Sequence, residues 1–194
     1  MGMLVNWLLE NWLELSGVLT TILGIWLTTR RNILCWPITL VSDLVYLAVF
    51  YQARLYSDSL LQIFFIGFTL YGWWYWHRGL AAEGSIRIHP LPRRQLLLIP
   101  ATAALGLLWG LLMLRLHAAL PFLDAQLMFF SLLASWWQAR KNTINWPLWI
   151  LVNLIYIGEY LYKGLALTSI LYAGLALLAV LGWRDWRHAE TAGG

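Results

Sequence analysis

Arg30-Arg31-Asn32-Ile33-Leu34-Cys35-Trp36-Pro37 and Arg140-Lys141-Asn142-Thr143-Ile144-Asn145-Trp146-Pro147 stand 110 positions apart, and the match runs well beyond both blocks. Leu23–Trp76 laid on Leu133–Trp186 without a gap gives 14 identities in 54 positions. Asp43-Leu44 and Tyr46 fall on Asn153-Leu154 and Tyr156; Gly72-Trp73 and Trp76 fall on Gly182-Trp183 and Trp186. Apolar bias alone does not align Trp, Pro and Gly in one register. An internally duplicated, very apolar chain points to a transporter.

Composition agrees. The chain is 61% hydrophobic and 11% charged, with a mean hydropathy of +0.66; a soluble domain carries about 25% charge. Its apolar material falls into stretches of bilayer-crossing length. Seven spans are predicted, roughly 12–29, 35–52, 58–76, 96–117, 122–139, 146–162 and 166–184. Pro37 and Pro147 fall in the first turns of spans two and six, where a missing N–H costs little. Gly79–Arg94, with Gly84, Pro90 and Pro92, reads as the one linker, and span four has no counterpart in the repeat. The expected class is therefore all-α integral membrane: a three-helix bundle over 12–76, a cytoplasmic linker and fourth transmembrane helix over 77–119, and a second three-helix bundle over 120–187. Four spans separate matching residues, so the two bundles point the same way, a 3+1+3 plan with a parallel repeat.

Charge sets the orientation. Ten of the 13 Lys and Arg lie in the links after spans one, three and five and after span seven; only Arg54, Arg115 and Lys163 lie opposite. The richer side is expected to be cytoplasmic, with the amino terminus outside and the carboxyl terminus inside. Glu10 and Glu14 stand where a signal peptide would be basic, so the first span is read as part of the protein. The net charge of +4 is spread over helix ends and forms no nucleic-acid patch. A single cysteine, Cys35, excludes an internal disulfide. The four histidines lie at span ends or in loops with no partner at metal-ligand spacing, and no nucleotide loop or nucleophile motif occurs. No enzyme activity, cofactor or metal is expected.

Polar residues inside the spans are the candidates for binding, and the expected place is the mutual face of the two bundles near mid-membrane. Thr39, Asp43, Tyr46 and Phe50 share one face of span two; Trp149, Asn153, Tyr156 and Tyr160 share the matching face of span six. Rings would stack on a flat polar ligand, and the amide would bond its edge. The competing reading is that such side chains join helices to one another, and for Asp43 that rival is serious. Trp149 replaces Thr39 of the first repeat and is the better stacking candidate; the other tryptophans at span ends read as interfacial belt. Gln62, early in span three, faces the same choice between ligand and helix. Glu159 replaces Val49, so duplication does not account for it. It reads first as an ion pair with Lys163 one turn on, and second as a carboxylate attracting a cationic ligand. Asp58 and Asp124, at the starts of spans three and five, read as caps.

Leu55-Tyr56 with Leu60-Leu61-Gln62-Ile63-Phe64-Phe65 and Tyr71-Gly72-Trp73 resembles a stretch of the PnuC vitamin transporters. So do Arg140-Lys141, Asn145-Trp146, Trp149, Asn153 and Tyr162-Lys163-Gly164-Leu165. The likeness covers about 12–76 and 121–187. It implies a SWEET-like fold, a homotrimer in the bacterial inner membrane, and facilitated diffusion of nicotinamide riboside trapped by a cytoplasmic kinase. Relatives carry thiamine or riboflavin. The family's Trp-x-x-x-Asn motif falls on Trp149 and Asn153, and its third-helix glutamine on Gln62. Glu159 departs from the apolar residue expected there. A membrane sensor subunit that binds a partner without transporting is the rival from another class.

Overall fold

The computed structural model describes residues 12–52, 56–115, 120–162, 164 and 166–192. These form seven α-helices: α1 (Trp12–Thr29), α2 (Cys35–Gln52), α3 (Tyr56–Glu83), α4 (Leu98–Arg115), α5 (Pro121–Ala139), α6 (Asn145–Tyr162) and α7 (Ala166–Ala192). A 3₁₀ turn, Arg93–Leu97, leads into α4. No strand occurs among the described residues; one isolated bridge joins His89 to Asn142. The seven expected spans are all helical, and α3 and α7 continue past their spans, to Glu83 and Ala192. The linker is accordingly shorter than expected, beginning at Gly84, whose φ of +69° suits a glycine at a helix end.

The chain divides into two compact units, one up to Gly84 and one from Ser85. In the first, α2 packs on both α1 and α3; in the second, α6 packs on both α5 and α7, and α4 packs along α5. The fourth helix thus belongs with the second unit. Its contact with α5 is made by Gly106 and Gly110, one turn apart: a Cβ on Gly110 would lie 2.6 Å from the ring of Phe122, and one on Gly106 would lie 2.8 Å from the amide of Gln126. Gln126 also donates to the Ala103 carbonyl at 3.0 Å. Small residues let backbones approach where lipid offers no hydrophobic drive between helices. The outward face of α4 is leucine, with Leu108 65% and Leu105 51% exposed. A face of that kind suits lipid rather than water. By length and hydropathy, Cys35–Gln52 and Arg93–Arg115 suffice to cross a bilayer. Leu15–Thr29 of α1 is a shorter apolar stretch.

The duplication is reproduced in three dimensions. After α1, the Arg31 amide bonds to the Thr28 carbonyl at 3.0 Å and the Asn32 amide to that of Leu27 at 3.0 Å. After α5, Lys141 bonds to Gln138 at 3.0 Å and Asn142 to Trp137 at 2.9 Å. Both are Schellman caps, with Arg31 (φ 54°) and Lys141 (φ 61°) in the left-handed position. Each turn feeds a helix whose tryptophan meets another edge to face: Trp36 with Trp76 at 5.2 Å and 85°, Trp146 with Trp186 at 5.3 Å and 89°. These four indoles are all at most 3% exposed. Gly72 and Gly182 admit them, since a Cβ on Gly182 would stand 2.6 Å from the Trp146 ring, and one on Gly72 would run into Trp36. The Trp-Pro and Gly-Trp blocks are therefore two halves of one buried lock, made twice.

Candidate substrate-binding site

The expected binding face of α2 points between α1 and α3. Thr39 and Tyr46 lie against α1, where a Cβ on Gly24 would come within 2.7 Å of the Thr39 hydroxyl and one on Gly17 within 3.2 Å of the Tyr46 ring. Tyr46 also stacks on Phe50 at 5.8 Å and 26°. Ser42 hydrogen-bonds Thr21 at 2.6 Å and the Gly17 carbonyl at 3.2 Å. Asp43 turns the other way: the Thr69 hydroxyl of α3 donates to its carboxylate at 2.7 Å, with both residues buried. Asp43 thus carries out the helix-joining role. Gln62, on α3, is half-buried, and its side chain makes no hydrogen bond among the described residues.

The second unit repeats this arrangement with different chemistry. Trp149, Asn153, Tyr156 and Tyr160 lie along one face of α6, as their spacing requires. Trp149 donates its indole N–H to the Gln138 side-chain carbonyl of α5 at 3.2 Å. Tyr156 stacks on Tyr160 at 5.8 Å and 21°. Both meet Tyr172 of α7, at 4.7 Å and 5.1 Å, and Ser131 of α5 neighbours Tyr156. Three phenol rings from two helices therefore form one cluster.

Asn153 is the decisive contrast. It is 5% exposed and stands where the first repeat has Asp43. The residue standing where Thr69 would be is Ala179, which has no hydroxyl. Among the described residues the Asn153 side chain has no hydrogen bond. A buried amide with two donors and an acceptor costs free energy unless some group satisfies it.

Glu159 is buried, at 6% exposure. It is not the surface-reaching side chain expected of a helix-end ion pair, and Lys163, its expected partner, lies outside the described residues. Helical geometry sets it about 60° round the α6 axis from Tyr156. The side chain of Asp58 is likewise outside the description; Asp124 lies in the first turn of α5. Among the described residues no cluster of metal-binding side chains occurs.

Of the seven residues singled out from sequence, Trp149, Asn153 and Tyr156 share one face, Glu159 adjoins it, and Asp43, Tyr46 and Gln62 belong to the first unit. Tyr172 and Gln138 were not singled out, although the 110-residue offset reaches both: Tyr172 is the mate of Gln62, and Gln138 of Thr28. An open pocket of about 350 Å³ lies elsewhere, on α3 between Leu70, Trp73, Trp74 and His77. It holds none of the mid-helix polar residues.

Comparison with known proteins agrees with the fold. The sequence model of the nicotinamide mononucleotide transporter family matches residues 11–188. The nicotinamide riboside transporter PnuC of Escherichia coli K12 is 28% identical over 211 residues, covering 95% of this chain and 88% of that protein. The riboflavin/roseoflavin transporter RibM of Streptomyces davaonensis is 28% identical over 180 residues, covering 90% and 84%. The crystal structure of a vitamin B3 transporter, PnuC, superposes with a TM-score of 0.76 at 23% identity, over 100% of this chain and 88% of that one. Fold and matches together define a multi-pass membrane transporter. The chain belongs to the nicotinamide mononucleotide transporter family, among its PnuC-type vitamin transporters.

Proposed function

We propose that this protein carries nicotinamide riboside across the bacterial inner membrane by facilitated diffusion, and that a cytoplasmic kinase traps the product. The observation that carries the reading is Asn153, a buried amide without an internal hydrogen bond, one turn from an indole and beside a cluster of tyrosines. A ring carrying a carboxamide suits it. The amide would bond the substituent, Trp149 and the tyrosines would cover the ring faces, and Glu159 would favour a positive charge. In the first repeat Asp43, Tyr46 and Gln62 are the mates of Asn153, Tyr156 and Tyr172. The similarity to PnuC of Escherichia coli supports this substrate.

Riboflavin and thiamine are the runners-up. Equal identity to RibM supports riboflavin, whereas the buried carboxylate of Glu159 suits a cation, which nicotinamide riboside and thiamine are and riboflavin is not. The seven helices are proposed to work as a parallel 3+1+3, SWEET-like arrangement in a homotrimer, with the basic links facing the cytoplasm. Titrating purified protein with the three vitamins by calorimetry tests the assignment. Preference for nicotinamide riboside is expected; tighter binding of riboflavin would overturn it. If the protein binds a vitamin but never releases it across a membrane, the sensor reading takes its place.

A further inference from the structure

The structure assigns Gln138 a role in substrate recognition that rests on the reading above: it is the positioning residue that holds the Trp149 ring in the orientation a flat ligand needs. The indole N–H donates to the Gln138 carbonyl oxygen at 3.2 Å, from α6 to α5. An indole has one donor, so a single acceptor fixes which way the ring's edge points and therefore where its faces point. Trp149 is half-buried, leaving part of the ring available to a second molecule.

The first repeat supplies an internal control. At the same two positions it has Thr28 and Thr39. The Thr28 hydroxyl turns back on the Gly24 carbonyl of its own helix at 2.9 Å, and Thr39 packs against Gly24. Thr28 meets Cys35 of α2 instead, and Thr28 and Thr39 are not joined as Gln138 and Trp149 are. The rest of the turn is closely alike in the two repeats, down to the Schellman bonds and the tryptophan pair. The turn therefore forms without a bond of the Gln138–Trp149 kind. Both members differ between the repeats, and they differ in the unit that also holds the uncommitted Asn153 and the three-tyrosine cluster.

The test is a double-mutant cycle on purified full-length protein, read by nicotinamide riboside affinity and by the Trp149 indole N–H resonance, which Trp149→Phe identifies. Gln138→Met should shift that resonance towards the value of an indole without an acceptor and weaken affinity roughly fivefold, as expected for one lost hydrogen bond. In a Trp149→Phe background, which has no N–H, the same change should alter affinity less than about twofold. Gln138→Glu, which keeps an acceptor, should leave the Trp149 resonance at the position of a hydrogen-bonded indole. An equal loss from Gln138→Met in both backgrounds would overturn the proposal, because Gln138 would then act without Trp149. So would a shifted indole resonance with unchanged affinity. If the unaltered protein binds none of the three vitamins, the substrate reading fails, while the resonance still reports whether Gln138 holds the ring.

Discussion

A buried polar side chain is informative at the residue scale when its duplicate has a partner and it does not. Asp43 is bonded to Thr69; the matching positions of the second repeat hold Asn153 and Ala179. Two predictions follow from that difference. Asn153→Leu should leave a folded protein whose affinity for its vitamin falls by about 1–3 kcal/mol, the range for leaving a buried partner unpaired; calorimetry beside a melting curve checks it. Ala179→Thr would supply the hydroxyl that Thr69 supplies to Asp43. It should raise the melting temperature and lower affinity together, and a rise without loss of affinity would free Asn153 of any role in binding. Glu159 gives a third. Glu159→Gln should weaken binding of nicotinamide riboside and thiamine and leave that of riboflavin unchanged, since only the first two carry a positive charge. An equal effect on all three would make Glu159 a packing residue. At this scale the sequence revealed which residues are polar and mid-span, and the offset marked their mates. It did not reveal partners, because whether Asp43 is engaged depends on a hydroxyl 26 residues away on another helix.

Helices were legible because their signals are local. Apolar stretches, prolines confined to first turns and charged links placed all seven starts and five of the seven ends within a few residues. The extensions of α3 and α7 were less legible, since Gly79–Glu83 and Arg187–Ala192 are polar enough to read as links yet go on bonding as helix. The partner of α4 was also hidden. Gly106 and Gly110 mark a close contact, but only the structure identifies Phe122 and Gln126 as what they meet. The repeated lock of tryptophan and glycine belongs to this scale as well. Gly182→Ala would force a methyl into the buried Trp146 ring, which has no room to move beside Trp186. The expected cost is about 1–3 kcal/mol of stability, the range for overpacking a core. It should appear as a lower melting temperature in detergent with vitamin affinity per folded molecule unchanged. Gly72→Ala should act the same way in the first unit. A neutral result at both would mean that the tryptophan pairs are not what fixes α2 to α3 and α6 to α7.

For the whole molecule, the asymmetry of ten basic residues to three predicts which ends of the helices face the cytoplasm. With Cys35 replaced by alanine, Tyr162→Cys, at a site 83% exposed, should react with a membrane-impermeant maleimide added outside intact cells. Arg30→Cys should react only after the membrane is opened. The reverse pattern would invert the topology. Duplication was visible from the first comparison of the chain with itself, because Trp, Pro and Gly are each irreplaceable where they lock a turn or a ring. The substrate was not equally visible, since it depends on how a few side chains are placed in space rather than on any spacing along the chain. Facilitated diffusion of a vitamin is measured by uptake of labelled nicotinamide riboside into sealed proteoliposomes. Internal and external concentrations should become equal with no ATP and no ion gradient, and Asn153→Leu should slow the approach to that level. No uptake by the unaltered protein, or accumulation beyond equality that an ionophore abolishes, would contradict it.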